Sequence, residues 1–144
     1  MKVFIQNEAG SRTKHSHHEK SLELLGTEQV SLPYPFPYGF VLGTTAEDGM
    51  NVDCFVLTSK RLRTGQVVDC DPIGLMEQFE DGKTDHNVLA VPSGEAGGVD
   101  AGTQQTLTEF VTHVFDHIPG KAIAAARFLD AQAAKDHVAG HHDA

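Results

Sequence analysis

The sequence predicts an α+β chain in which a small antiparallel sheet or barrel precedes the helices. Three observations carry that expectation. Short β-branched and apolar runs fill the first two thirds, turn residues separate them, and an apolar spacing of three and four begins only at Leu107.

In chain order, Val3-Phe4-Ile5 is the first strand candidate. Asn7 to Lys20 is polar and holds Lys14 with His15, His17 and His18, after which Leu22, Leu24 and Leu25 mark a second extended stretch. Between Leu32 and Phe40, Pro33, Pro35 and Pro37 stand at alternate positions. Each fixes φ and removes a backbone donor, so this segment is rigid and not helical. Val52 to Leu57 and Val67 to Leu75 read as strands of a hairpin turned through residues 58–66. Glu77 to Asn87, with Glu80, Asp81 and Asp85, reads as an acidic loop, and Val88 to Pro92 as a returning strand. Ser93 to Gly102 is glycine-rich and reads as a long loop. Leu107, Phe110, Val111, Val114, Phe115 and Ile118 share one helical face that Pro119-Gly120 ends. Asp130 is the expected N-cap of a short last helix through Val138.

A length of 144 residues suits one domain, residues 1–144, and 40% hydrophobic with 22% charged residues is a globular composition. Lys+Arg 11 against Asp+Glu 20 gives a formal charge of −9, which argues against nucleic acid as a partner. No apolar run nears the ~20 residues that span a bilayer, and Met1 to Gln6 turns polar too early for a signal peptide. The expectation is a soluble, cytoplasmic protein with no membrane partner. Cys54 and Cys70 lie in strand-like runs without a CxxC spacing, so they are read as buried, reduced thiols.

The chemistry is concentrated in carboxylates. Asp48, Asp53 and Asp85 fall in a turn, a strand and a loop, and hard cations such as Mg²⁺ are held by a few such groups with water and phosphate oxygens. Asp53 interrupts an apolar run, where an unpaired carboxylate is costly; read alone, it is an outward-facing aspartate on a solvated edge strand. His15, His17, His18 and His141-His142 read as solvated polar segments, with transition-metal ligation as the alternative. Lys60-Arg61-Leu62-Arg63 reads as an exposed turn rather than an anion-steering patch. No glycine-rich phosphate loop, Ser-His-Asp order or catalytic-cysteine signature is present.

Taken together, Tyr34-Pro35-Phe36-Pro37-Tyr38-Gly39-Phe40, Asp48-Gly49-Met50-Asn51-Val52-Asp53-Cys54-Phe55-Val56-Leu57, Gly65-Gln66-Val67-Val68, Pro72-Ile73-Gly74 and Val88-Leu89-Ala90-Val91-Pro92 resemble the soluble inorganic pyrophosphatases built on a small β-barrel. Gly10-Ser11-Arg12-Thr13-Lys14 is similar to that family's early substrate-contacting segment, and Phe128 to Val138 to its last helix. The resemblance implies a five-stranded barrel of the oligonucleotide-binding type with flanking helices, a homo-oligomer (trimer or hexamer), and diphosphate hydrolysis assisted by Mg²⁺, with Mn²⁺ as a substitute. By position, Asp48, Asp53, Asp85 and Glu80 match metal-binding acids, and Lys14 and Tyr38 match phosphate-contacting groups.

The departures are concentrated in the same places. Met50 stands where the family has the aspartate that assists deprotonation of the nucleophile, and Gln6 and Ser16 replace acids. Gly26 falls near an expected arginine, Asn87 replaces a lysine, and Ile118-Pro119 replaces a Tyr-Lys pair. Two functions follow. One is a divalent-metal-dependent hydrolase of diphosphate or another phosphorylated small molecule, weakened or retuned; the other is a non-catalytic member that keeps a metal and phosphate site.

Overall fold

The computed structural model describes residues 1–144, leaving out the side chain of residue 126. The strands are β1 (Lys2–Asn7), β2 (Thr13–His18), β3 (Glu23–Gln29), β4 (Tyr38–Val41), β5 (Val52–Val56), β6 (Val67–Glu80), β7 (Lys83–Thr84) and β8 (Asn87–Pro92). They are followed by α1 (Ala101–His113), β9 (Ile123–Leu129) and α2 (Ala131–Gly140).

β1, β4, β5, β8 and β6 form a ring that closes where β6 returns to β1. This is the five-stranded barrel that the family resemblance implies, mixed rather than wholly antiparallel because β5 and β8 run parallel. Closure leaves these strands without open edges. β6 is 14 residues long, and its length lets it pair with β1 at its start, with β8 in its middle and with β9 and β7 at its end. Gly39 of β4 lies against β1 so closely that a Cβ there would stand 1.7 Å from the Phe4 carbonyl oxygen. Only glycine fits that crossing.

Several local expectations are corrected. β5 and β6 are not a hairpin: β8 lies between them, antiparallel to β6 and parallel to β5. Asp53 is therefore on a central strand rather than an exposed edge, in register with Phe40 on one side and Asn87 on the other. The stretch read as an acidic loop continues β6 through Glu80 and forms the short β7. The polar segment after Asn7 contains β2, which pairs with β3 as a separate hairpin.

α1 begins inside the stretch read as loop, because the Asp100 side chain accepts the Thr103 N–H at 2.8 Å and caps the helix. It ends at His113, and Phe115 and Ile118 continue its apolar face in a turn. Residues 123–129 pair with β6, so Phe128 belongs to a strand and not to the last helix. Asp130 does cap α2, accepting from the Ala133 N–H at 2.9 Å.

Alternation along the ring strands separates two cores. Val52, Cys54 and Val56 face one way, with Val3, Ile5, Val88 and Ala134 of α2. Phe55 faces the other, with Met76, Leu89 and the α1 residues Leu107, Phe110 and Val111. Asp53 shares the side of Phe55, so a carboxylate sits above an apolar floor between the ring and α1. Cys54 and Cys70 are buried and unpaired, as expected.

Candidate active site

One cavity of about 200 Å³ gathers the residues singled out in the sequence: Lys14, Tyr38, Asp48, Met50, Asp53, Glu80 and Asp85 all line it. They come from six segments of the chain, Asp48 and Met50 sharing one. Lys14 is on β2, Tyr38 starts β4, Asp53 is on β5, Glu80 ends β6, and Asp85 precedes β8. Asp48 lies in the turn before β5, where its Oδ1 accepts the Met50 N–H at 2.9 Å and Gly49 takes a left-handed φ of 82°. The Met50 thioether also reaches the cavity and is 55% exposed.

Like charges are crowded here. Burial first, and then the neighbouring Asp85 and Glu19 carboxylates, hold Asp53 well above the usual carboxylate range. Burial also raises Asp85, with Glu80 and Asp48 adding to it while a hydrogen bond from Asp53 opposes it. One proton shared by the pair is the metal-free compromise. Burial, then Asp53, keeps the Tyr38 phenol protonated, so it is available only as a neutral hydrogen-bond donor. Its ring packs on Phe55 at 4.8 Å between centroids.

The sequence reading missed three parts of the site. Glu19 lines the cavity at the end of the polar segment and accepts the Asn51 N–H at 2.8 Å; burial raises its pKa. Asn87 and Gln78 form an amide chain: Asn87 Nδ2 donates to Gln78 Oε1 at 2.7 Å, and Gln78 Nε2 donates to Asp85 Oδ2 at 3.3 Å. Asn87 is 1% exposed and therefore positions Asp85 rather than facing solvent. Lys121 forms an ion pair with Glu80 and lies 4.7 Å from the Phe115 ring centroid, with Lys14 4.8 Å from the same centroid. No local sequence pattern marks Lys121, because only the turn after α1 brings it back to β6.

The donor set suits a hard divalent cation. Five carboxyl groups, Glu19, Asp48, Asp53, Glu80 and Asp85, line the cavity and supply oxygen donors only. Burial first, and then crowding of like charges, makes Asp53 and Asp85 weaker acids than free carboxyls, an environment that a bound cation would offset. Among the described residues, no three His, Cys, Asp or Glu side chains are already gathered around one point, so these acids stand apart rather than in a closed cage. Gln6 and Ser16 also line the cavity and bring no charge to it. His17 does too, its pKa lowered by burial and then by His15.

Comparison with known proteins agrees with this geometry. The inorganic pyrophosphatase family model matches residues 3–144. An inorganic pyrophosphatase of Sulfolobus acidocaldarius is 26% identical over 148 aligned positions, covering 94% of this chain and 86% of that protein. One from Aquifex pyrophilus is 31% identical and covers 76% of this chain and 67% of its own length. The fold of an inorganic pyrophosphatase from Coxiella burnetii superposes with a TM-score of 0.88 at 25% identity, covering 98% of this chain and 92% of the other. With a family model spanning nearly every residue and the same fold around one acidic cavity, this chain belongs to the inorganic pyrophosphatase family.

Proposed function

We propose that residues 1–144 act as one domain that hydrolyses diphosphate, with Mg²⁺ as the cation and Mn²⁺ as a substitute. The observation that carries this reading is the single cavity in which five carboxyl groups meet Lys14 and the neutral phenol of Tyr38. In the reaction, a water oxygen bonds to one phosphorus as it gives up a proton, the bond to the bridging oxygen breaks with its electron pair, that proton passes to the departing phosphate or to solvent, and two orthophosphates leave.

Asp48, Asp53, Asp85 and Glu80, with Glu19 beside them, are the groups that would hold the cation. When bound, it would neutralise phosphoryl charge and make a water more acidic. The chain's own groups orient the substrate: Lys14 places an ammonium at the rim, and Tyr38 donates from the floor. Gln78, held by Asn87, fixes the direction of the Asp85 carboxyl.

We also propose that turnover is lower than such a site with a full set of groups would give. The Met50 thioether accepts no proton, and Asn87 spends its donor on Gln78 rather than on phosphate. The buried free thiols support a reducing, cytoplasmic setting. The exposed Leu24 and Leu25 on β3 support assembly into a homo-oligomer, a trimer or hexamer. Among the described residues, no helix is long and apolar enough to cross a membrane.

Phosphate release from diphosphate, with Mg²⁺ and then Mn²⁺, tests the reading. Metal-dependent release that Asp53→Ala abolishes is expected. Cation binding without release of phosphate from any phosphoanhydride would instead identify a binding protein that has lost the chemistry.

A further inference from the structure

Away from the cavity, the end of α2 brings two imidazoles together. His137 and His141 stand one helical turn apart, their ring centroids 4.5 Å from each other. His141 Nδ1 lies 2.7 Å from the His137 carbonyl oxygen, which accepts its proton. Nε2 faces Glu47 Oε1 at 3.4 Å, so two imidazoles and a carboxylate meet at the end of α2. The far oxygen of Glu47, Oε2, already accepts the Thr84 hydroxyl at 3.0 Å. Burial, then His141 and His86, lower His137 to about 4, so its ring is neutral near pH 7.

We propose that His137, His141 and Glu47 form a second cation site, one that takes a borderline-soft transition metal of the Zn²⁺ class and not Mg²⁺. Two histidines four apart, one in the last turn of α2 and the other its C-cap, joined by a carboxylate from elsewhere, are a donor set that zinc favours, with a fourth position left to water. Imidazole nitrogen discriminates against Mg²⁺, which prefers oxygen. Two outer contacts that such ligands need are in place: a carbonyl on the His141 Nδ1–H and a hydroxyl on Glu47. His86 is a neighbour and not a ligand, since its Nδ1 accepts the Gln78 N–H at 3.1 Å and its proton therefore sits on Nε2. The three donors are not yet at coordinating distance. Glu47, with a side chain 69% exposed, has room to rotate inward. Because Glu47 precedes Asp48 and Thr84 precedes Asp85, filling this site would tie both cavity loops to α2.

The test is a Co²⁺ titration of the untagged, full-length protein in excess Mg²⁺, read by visible absorption. One equivalent of Co²⁺ should give the strong bands of a four-coordinate ion, and Zn²⁺ but not Mg²⁺ should remove them. His137→Gln and His141→Gln should each weaken Co²⁺ binding at least ~10-fold, and Thr84→Val by about 10-fold through the lost outer contact. Thermal melts confirm that each variant is folded. Asp53→Ala should leave the spectrum unchanged. The proposal is overturned if Mg²⁺ displaces Co²⁺, if Asp53→Ala abolishes the bands, or if both histidine variants titrate like the wild type. It is overturned equally if no band appears, which would make His141 and Glu47 an ion pair only.

Discussion

Replacing Met50 with aspartate puts the reading of the cavity at risk most directly. Met50 is 55% exposed, and its N–H, which the substitution keeps, already holds Asp48 Oδ1. Little burial is lost. The gain is a proton acceptor on the cavity wall, an effect typically worth ~10²–10⁴-fold. The cost is a sixth carboxylate among five: a like charge ~8 Å away at an effective dielectric of ~20 costs about 2 kcal/mol before screening. Metal-free Met50→Asp should therefore unfold at lower urea than the wild type, and Mg²⁺ should recover more stability in the variant than in the wild type. At saturating Mg²⁺, kcat should rise ~10–100-fold, short of the full effect because a missing cationic donor can itself cost ~10²–10³-fold. Asn87→Lys alone should lower activity, since Asn87 is buried and donates to Gln78, which in turn holds Asp85. Steady-state phosphate release from the wild type, each variant and the pair separates these effects, and the pair shows whether they act as one unit. A wild type that turns over at ~10² per second or faster, with Met50→Asp no better, would refute the reasoning.

Asp53→Asn should stabilise the metal-free protein by about 1–3 kcal/mol while removing calorimetric Mg²⁺ binding, because it replaces a buried carboxyl that is costly to ionise beside Asp85 with a neutral amide. The sign follows from the raised Asp53 pKa: the folded state holds the extra proton, so wild-type stability falls as pH rises past ~4, and the variant loses less. Equal Mg²⁺ affinity in both would remove Asp53 from the ligand set. Gln78→Leu should raise the Mg²⁺ concentration for half-maximal activity ~10–100-fold with the fold retained, checked by Mg²⁺ titration and circular dichroism. Gly39→Ala should cost roughly 3 kcal/mol or more, read from urea midpoints, since its Cβ would meet backbone rather than a movable side chain. Light scattering should give three or six times the chain mass, and a monomer at every concentration would end the oligomer reading.

Local patterns made the strands and the last helix cap legible, whereas the ring and the cavity acids were expected only from the family resemblance. Val52 to Leu57 and Val88 to Pro92 are largely apolar runs, and Asp130 is a capping residue in a capping position; Asp53, read alone, passes for an edge residue. What was not legible depends on partners far along the chain. β5 and β6 look like a hairpin because they are consecutive, and nothing local shows that β8 inserts between them. Residues 123–129 are alanine-rich and carry a weak helical preference, which pairing with β6 overrides. Asn87 reads as a lost cation in the sequence, yet in the fold it is the buried end of an amide chain. Lys121 reads as loop, yet it reaches Glu80 across the cavity rim.

That rearrangement changes how the charge balance is understood. Two lysines stand at the rim, both on the face of Phe115, and both are engaged: Lys14 with Glu28 at 3.7 Å, Lys121 with Glu80. The Glu80 hydrogen bond raises Lys121, so its ammonium is firmly charged. Lys121 can turn toward a phosphoryl oxygen only if Glu80 gains another counter-charge, since breaking the pair alone would strand a half-buried carboxylate beside Asp85. On the proposed function, diphosphate binding and occupation of the acids would be thermodynamically linked, each tightening the other. The deficit left by Asn87 and Pro119 is then smaller than the sequence suggests, because a cation two residues beyond Pro119 stands at the same rim, held in reserve by the acid it would leave.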